Sequence, residues 1–458
     1  MIEKIKTEII PVKQQFIGKK GNLDYRAICI FAATGFFLDD DTYFKNLKVL
    51  KPAHEYAIEE DRIVSARPWF SWYYHPEDMA LKAAVDEFAE LFENVIKKQT
   101  SGKRVILPLS GGLDSRTQAA ALKHLVADVE AYSYEFQNGH NESFYGRRIA
   151  KTCQFSFRNW SVPEGYLWNS IDRLAGINQC YSEFTHPRQM AFIDSYAEMG
   201  DLFSLGHWGD VLFDDMGVPD DLPFESQLDI VLKKIVKKGG IDLAERLWTT
   251  WGLEGRFLDC FYARIRDLLK NIDIDTSANA RIRAFKSLYW APRWTSTNLS
   301  VFSSVRPVTL PYYDNKICEF ICKVPEKLLA ARKIQIEYIK MRSPSLARII
   351  WQDKRPFNLY NYHLNRAPFN IPYKVADKLS RTISNRRYIQ RNWELQFEGD
   401  FNDRMLRSHL FGDDKFTNFL PIEVTRHIYD HFRLTDPVKY SHPISMLLTL
   451  SLFAKKNL

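Results

Sequence analysis

The sequence predicts an α/β protein built on a doubly wound parallel sheet, with a helical C-terminal part and a small β-rich segment at the N-terminus. Three observations support this fold class. Short apolar strands alternate with helices between residues 104 and 207, a glycine-rich loop follows the first of these strands, and helical periodicity dominates from about residue 225. Such alternation is typical of βαβ units, whose strands lie parallel in one sheet.

Residues 1–75 are predicted to form the β-rich N-terminal segment. Short apolar runs alternate there with turn signals, and strands are expected at residues 26–33 and 54–64. No long helix is expected in this part of the chain.

Residues 76–345 are predicted to form the domain that contains the parallel sheet. A helix opens it near residue 75, because apolar side chains recur at spacings of three, four and seven from residue 81 to residue 95. Strands are then expected at 104–109, 129–136, 157–162 and 201–207, with helices at 116–125, 143–152 and 165–174. Ligands of such a sheet bind at the carboxyl ends of its strands.

Helices are expected for most of the remaining chain. Within the sheet domain they are predicted at 228–238, 242–251, 257–269 and 280–289. Residues 346–458 are predicted to form a helical C-terminal part that completes the site. Its basic stretch at 381–391 is read as a solvated helix face, with a site for an anionic partner as the alternative.

The composition is that of an ordinary soluble protein. The 458 residues include 63 Lys and Arg against 56 Asp and Glu, a net charge of +7 that does not argue for a nucleic-acid partner. No stretch approaches the ~20 apolar residues of a membrane helix. The six cysteines show no metal-ligand spacing. We therefore expect a cytoplasmic protein with reduced thiols and no membrane partner.

The motif SGGLDS at residues 110–115 lies between a predicted strand and a predicted helix. Gly111 and Gly112 let backbone N–H groups approach phosphate oxygens, and the start of the helix adds partial positive charge. Ser110 and Ser115 add hydroxyl donors, and Asp114 can hold Mg²⁺. The alternative is a tight turn between strand and helix. No GxxxxGK[ST] motif is present, which argues against a P-loop ATPase. The segment is therefore interpreted as a phosphate cradle.

The segment LSGGLDSR at residues 109–116 resembles the pyrophosphatase loop of the asparagine synthetase family. Four further segments resemble landmarks of that family in the same order: TYFKNLKVLKPAH at 42–54, GHWGD at 206–210, PYYD at 311–314, and Lys354 with Phe357 in a Lys-x-x-Phe element. The resemblance covers roughly residues 35–360 and implies a HUP-like fold, that of the adenine nucleotide α-hydrolases. It also implies ATP and Mg²⁺ as cofactors.

The resemblance implies a role for each matching residue. The loop residues Ser110, Gly111, Gly112, Asp114 and Ser115 would bind the ATP phosphates and magnesium, and Gly206 would join them in binding the nucleotide. Asp210 would hold a second magnesium ion. Lys354 would stabilise charge on pyrophosphate and on the tetrahedral intermediate, and Ser133 would contact adenine.

The chain departs from the family at three places. Ile2 stands where the family has a catalytic cysteine, so no complete glutaminase domain is expected, and nitrogen would come from free ammonia, a separate glutaminase subunit or an amine substrate. His207 replaces a glutamate and is either a general base or a residue that shapes the pocket. Residues 307–310 read PVTL instead of Glu-x-Arg-Val, which indicates a changed acceptor.

These features predict an ATP-dependent ligase that forms an amide bond. It would adenylate the carboxylate of a small molecule or peptide, release pyrophosphate and transfer the acyl group to ammonia or an amine. Two alternatives remain: a tRNA-modifying or other adenylase with the same loop, and a non-catalytic scaffold of the same fold.

Overall fold

A five-stranded sheet forms the centre of the protein in this computed structural model, which describes residues 2–137, 139, 143–384 and 396–458. All neighbouring strands are parallel, in the order β10-β9-β6-β7-β8. The strands are β6 (Val105–Pro108), β7 (Val129–Phe136), β8 (Ser156–Val162), β9 (Leu202–Ser204) and β10 (Val308–Thr309). The predicted α/β class with a parallel sheet is confirmed.

The strand order places a reversal of direction between β6 and β9. The chain runs outward from β6 through β7 to β8, then continues on the other side of β6 with β9 and β10. Val105 of β6 is therefore in register with both Val129 of β7 and Leu202 of β9. Loops that leave two strands at such a reversal diverge and open a crevice at the carboxyl edge of the sheet. The segments after β6 and β9 both lie at this edge.

Four helices accompany the first half of the sheet close to the predicted positions. They are α2 (Leu81–Thr100), α3 (Asp114–His124), α4 (Ser143–Cys153) and α5 (Tyr166–Asn178). Helix α2 starts later than predicted, since His75 and Glu77 donate their backbone N–H groups to the carbonyls of Cys322 and Lys323. That pairing keeps the chain outside a helix there.

The strand predicted at residues 26–33 is wrong, because this run lies in helix α1 (Tyr25–Thr34). Asp24 caps the helix start by accepting from the N–H of Ala27 at 3.1 Å, and Gly35 ends it with a φ of 81°. Residues 27–34 are all buried, so the helix has no polar face and its sequence shows no helical period. A short apolar run of this kind is equally compatible with a buried strand.

The strand predicted at residues 54–64 is a hairpin with a turn inside it. Glu60 and Asp61, with φ values of 47° and 62°, turn the chain between two antiparallel strands. The strands of the N-terminal segment are β1 (Glu3–Lys6), β2 (Phe16–Gly18), β3 (Leu47–Val49), β4 (His54–Glu59) and β5 (Arg62–Pro68). The segment is therefore β-rich as predicted, with one buried helix.

The rest of the described chain is mainly helical, as predicted. The helices that follow β9, up to residue 347, are α6 (Gly209–Leu212), α7 (Phe224–Ile235), α8 (Gly240–Thr250), α9 (Phe257–Lys270), α10 (Ala278–Phe285), α11 (Ser296–Ser303), α12 (Asn315–Lys323), α13 (Glu326–Leu329), α14 (Lys333–Arg342) and α15 (Pro344–Ala347). A π-helix, Lys286–Thr295, joins α10 to α11. Short 3₁₀ turns include Arg188–Glu198, Pro311–Tyr313, Ala330–Arg332, Gln352–Lys354 and Tyr362–Leu364.

The C-terminal part contains α16 (Ile371–Ser384), α17 (Asp400–Phe411), α18 (Asp414–Phe419), α19 (Ile422–Leu434) and α20 (Pro437–Asn457). The basic stretch predicted at 381–391 lies outside the described residues from position 385 onward. Within the described ranges, no helix is both long enough and apolar enough to span a membrane. One hydrophobic core contains residues of all three predicted segments, and their division into domains stays a prediction.

Helix α20 is tied to the region before β9 through a buried carboxylate. Glu183 accepts from the backbone N–H of Thr185 at 2.7 Å, from the hydroxyl of Ser445 at 2.7 Å, and pairs with His186 at 3.0 Å. Burial by itself raises the pKa of Glu183, but His186 and the hydrogen bonds outweigh it and lower the pKa to about 2. Glu183 is therefore ionised in the folded protein and depends on its partners.

Candidate functional site

A cavity of about 350 Å³ lies at the carboxyl edge of the sheet, beside the strand reversal. Six of the predicted site residues line it, namely Ser110, Asp114, Ser115, Ser133, Gly206 and His207. Tyr132, Tyr134, Gln189, Phe302 and Gln352 also contribute to its wall. Among the described residues, the wall of this cavity does not include Gly111, Gly112, Asp210 or Lys354. The sheet therefore brings both predicted loops to one cavity.

In the loop at residues 110–115, backbone N–H groups donate hydrogen bonds to uncharged oxygens of the chain. The N–H of Ser110 donates to the Ser115 hydroxyl at 3.2 Å, and the N–H of Gly112 donates to the Ser110 hydroxyl at 3.3 Å. The N–H of Gly111 donates to the side-chain oxygen of Gln352 at 3.1 Å. These donors lie next to the start of α3, where an anion is favoured electrostatically. The loop can therefore bind phosphate if phosphate oxygens replace these neutral acceptors.

Gly111 is a glycine for a steric reason. A Cβ atom there would lie 2.5 Å from Oε1 of Gln352 and 2.9 Å from the ring of Tyr145. Both are closer than real Cβ contacts. The first glycine of the motif is therefore required by the close approach of the segment at residues 349–354.

Arg116 joins the loop to that same segment. Its guanidinium is fully buried and donates to the carbonyls of Gly111 at 3.1 Å, Ile349 at 2.9 Å and Ile350 at 2.9 Å. Burial lowers the pKa of Arg116 to about 10, although Asp353 raises it. The C-terminal segment is thus fastened to the loop by one buried cation.

Asp114 opens α3 and is engaged by side chains of the chain itself. Arg332 forms a salt bridge to its Oδ1 atom, and the amide of Gln335 donates to the same oxygen at 3.2 Å. The Tyr312 hydroxyl donates to the Asp114 carbonyl at 3.0 Å. Burial raises the pKa of Asp114, with a further rise from Asp210, while Arg332 lowers it. The carboxylate therefore has a resident cation.

Asp210 is the second predicted metal ligand and lies exposed at the start of α6. Gly209, just before it, is packed so closely on Asp114 that a Cβ atom would lie 2.3 Å from Oδ1 of that carboxylate. Among the described residues, no three acidic, histidine or cysteine side chains converge on one point. Two carboxylates fit Mg²⁺ when substrate phosphates supply further ligands, which is how proteins usually bind this ion.

His207 lines the cavity as a neutral imidazole. Burial lowers its pKa to about 4, although Asp210 raises it. Its Nδ1 atom is buried and has no hydrogen-bond partner within the described ranges. At neutral pH the ring is therefore uncharged. Both predicted roles, base or pocket wall, stay open.

Ser133 lines the cavity, whereas Lys354 is not among the described residues that line it. Ser133, on β7, lines it and donates its hydroxyl to the Leu109 carbonyl. Lys354 ends a 3₁₀ turn, and its ammonium lies 5.7 Å from the ring centre of Trp351. In the described structure the side chain of this turn that reaches the cavity is Gln352. The role predicted for Lys354 stays a prediction.

Another cation lies beside the second loop. The ammonium of Lys286, on the π-helix, lies 5.5 Å from the ring centre of Trp208 and 5.3 Å from that of Trp290. Burial lowers the pKa of Lys286 to about 8, and Asp210 raises it. Trp208 directly precedes Gly209 and adopts a left-handed φ of 64°. π-Helical segments are rare and frequently occur at functional sites.

Sequence reasoning missed Arg116, Arg332, Gln335 and Gln352. Arg116 adjoins the loop motif and Gln352 precedes Lys354 by two positions. Their closeness in sequence to predicted site residues could have indicated that they belong to the site. Arg332 and Gln335 lie more than 200 positions from Asp114 and belong to no recognisable motif. Only the fold shows that they meet the loop.

Comparison with known proteins supports the resemblance over part of the chain. Residues 87–193 match the family model described as asparagine synthase. This segment contains the loop at 110–115 and ends before the second loop at 206–210. For this segment the predicted family is confirmed.

Solved structures with similarity include an NMN synthetase from Francisella tularensis, 15% identical over 45% of this chain and 93% of that chain, with a TM-score of 0.23. Another is an NH₃-dependent NAD synthetase from Campylobacter jejuni subsp. jejuni NCTC 11168, 19% identical over 42% of this chain and 83% of that chain, with a TM-score of 0.21. No curated protein matches the chain.

Proposed function

We propose that this chain is an ATP-dependent ligase that adenylates a carboxylate, releases pyrophosphate and transfers the acyl group to ammonia or an amine. One observation carries the proposal: the loop at residues 110–115, within the segment that matches the asparagine synthase model, lines the same cavity as the second loop at a strand reversal. A nucleotide at such a reversal binds with its phosphates at the start of the following helix. That helix is α3.

In this proposal, some residues of the site bind the phosphates and others contact the acyl group or the amine. The N–H groups of residues 110–112 and the two loop serines bind phosphate oxygens, while Arg116 keeps the loop against the C-terminal segment. Asp114 and Asp210 would hold Mg²⁺, which neutralises charge on the departing pyrophosphate when it is bound. His207 lines the same cavity as a neutral polar group. There it would contact the carboxylate or the incoming amine.

The test is pyrophosphate release by the purified chain with ATP and a panel of carboxylates, each with ammonia, an amine or glutamine as nitrogen donor. We expect release with at least one carboxylate, and amide product by mass spectrometry. Asp114→Asn should reduce the rate by at least about 100-fold, because it removes a ligand of the Mg²⁺ that would neutralise the charge on the departing pyrophosphate. Asp221→Asn, which changes an exposed carboxylate outside the cavity wall, is the matched control.

Two outcomes would count against the proposal. Unchanged release in Asp114→Asn removes the loop from the reaction. Absence of release across the panel, with ATP bound, favours a scaffold.

A further inference from the structure

Arg332 lies in an unfavourable backbone conformation that directs its side chain at Asp114. Ala331 and Arg332 are consecutive non-glycine residues with φ values of 57° and 61°. L-Residues visit this left-handed region rarely and usually singly. Such strain persists where the surrounding structure enforces it, and it occurs often at functional sites.

The surrounding contacts hold this conformation firmly. The N–H of Ala331 donates to the carboxylate of Asp214 at 2.8 Å, and Nε of Arg332 donates to the side-chain oxygen of Gln335 at 2.8 Å. The amide of Gln335 then donates to Asp114 and, at 3.0 Å, to the hydroxyl oxygen of Tyr312. Arg332 is 8% exposed. Its guanidinium is therefore positioned by the fold to meet Asp114.

The charge of Asp114 is compensated by the chain itself. Arg332 forms a salt bridge to Oδ1 of Asp114, and the Gln335 amide donates to the same oxygen at 3.2 Å. A free divalent cation thus meets a carboxylate that already has a cationic partner, which weakens the electrostatic attraction between them.

We propose that Arg332 is the resident counter-ion of Asp114 and that it makes metal binding at the Asp114 and Asp210 pair conditional on nucleotide. A free divalent ion does not displace the guanidinium. A metal that arrives with polyphosphate does, since the released guanidinium then pairs with a phosphate oxygen next to the loop. The inference rests on the proposed function, because it assumes a polyphosphate at this loop.

The test measures Mn²⁺ binding to the full chain by electron paramagnetic resonance, with no nucleotide present. Wild type should bind the ion weakly, and Arg332→Met should bind it at least about tenfold more tightly, because removing the counter-ion leaves the carboxylates uncompensated. Adding Asp114→Asn to Arg332→Met should remove the gain. Arg342→Met is the matched control, since Arg342 pairs with Glu93 at 2.6 Å outside the site.

Ala331→Gly serves as a second variant that keeps the guanidinium. Glycine is more flexible than alanine, so the variant loosens the segment that positions Arg332 without removing the charge, and Mn²⁺ affinity should rise above that of wild type but less than in Arg332→Met. This variant decides the question if Arg332→Met does not fold. Tight, Asp114-dependent Mn²⁺ binding by wild type, or equal affinities in wild type and the folded variants, would overturn the inference.

The same titration with a non-hydrolysable ATP analogue separates the two proposals. Wild type should bind Mn²⁺ much more tightly with the analogue than without it. If the analogue does not bind at all, the proposed function fails, whereas the comparison without nucleotide still reports on Arg332. If the analogue binds but the ion binds equally well without it, only the counter-ion inference fails.

Discussion

Replacing Arg116 by methionine tests whether one buried cation fastens the loop at residues 110–115 to the C-terminal part. Methionine fills a similar elongated volume without donors. The change would leave the carbonyls of Gly111, Ile349 and Ile350 without their charged donor. All three lie where the loop meets the segment that carries Gln352. Both stability and phosphate binding should respond.

The magnitude follows from two opposing contributions. Three hydrogen bonds to a charged donor contribute roughly 6 kcal/mol, at about 2 kcal/mol each. Burial opposes this, because it lowers the pKa of Arg116 from 12.5 to about 10, a difference equivalent to roughly 3 kcal/mol against the charged form. The variant should therefore lose about 2–3 kcal/mol of unfolding free energy.

Urea denaturation followed by tryptophan fluorescence measures this loss. The midpoint should fall with an unchanged denaturant slope, which indicates a stability change without a change in the unfolded state. Arg348→Met is the control, since Arg348 is exposed in the same segment and should shift stability by less than about 0.5 kcal/mol. Pyrophosphate affinity should fall only in the Arg116 variant. Equal midpoints for the two variants would refute the reasoning.

Two further predictions concern loop donors and acid stability. Gln352→Ala frees the N–H of Gly111, so pyrophosphate should bind about fivefold more tightly, because a competing hydrogen bond worth roughly 1 kcal/mol is lost. Gln352→Glu should weaken pyrophosphate binding, because its carboxylate repels the anion. Isothermal titration calorimetry measures both affinities, and a change in the same direction in both variants would contradict the argument. The pKa of Glu183 is about 2, below its ordinary value of 4.5, so its carboxylate stabilises the fold above pH 4.5 and this contribution fades as pH falls toward 2. Urea denaturation across that range should show a steeper loss for wild type than for Glu183→Gln, and parallel profiles would contradict the assigned pKa.

The central sheet was predictable because its signals are local. Each strand is a short apolar run, each helix has a period or a turn at its start, and the motif at residues 110–115 marks the junction of β6 and α3. The order of the strands was not predictable from these signals, since β9 pairs with β6 across nearly 100 residues. Residues 26–33 were misassigned because complete burial erased the helical period.

The residues that line the cavity were predictable only where they belong to a sequence motif. Ser110, Asp114, Ser133 and His207 all line the cavity at the carboxyl edge of the sheet, where ligands of such a sheet bind. Arg332 could not be found in this way, because its position depends on a left-handed turn and on hydrogen bonds between distant elements. Sequence motifs thus identified residues that line the cavity more readily than the residues that hold them in place.

The second loop differs electrostatically from the pattern that it resembles. A carboxylate at position 207 would add a negative charge beside Asp114 and Asp210, whereas His207 is neutral at physiological pH because burial lowers its pKa to about 4. With Arg332 and Lys286 close to the two aspartates, this edge of the cavity carries less negative charge than a site with three carboxylates. An incoming ammonium ion would gain less there than in such a site. We therefore expect an acceptor that arrives as an uncharged amine, and the two roles predicted for His207, general base or pocket wall, stay predictions.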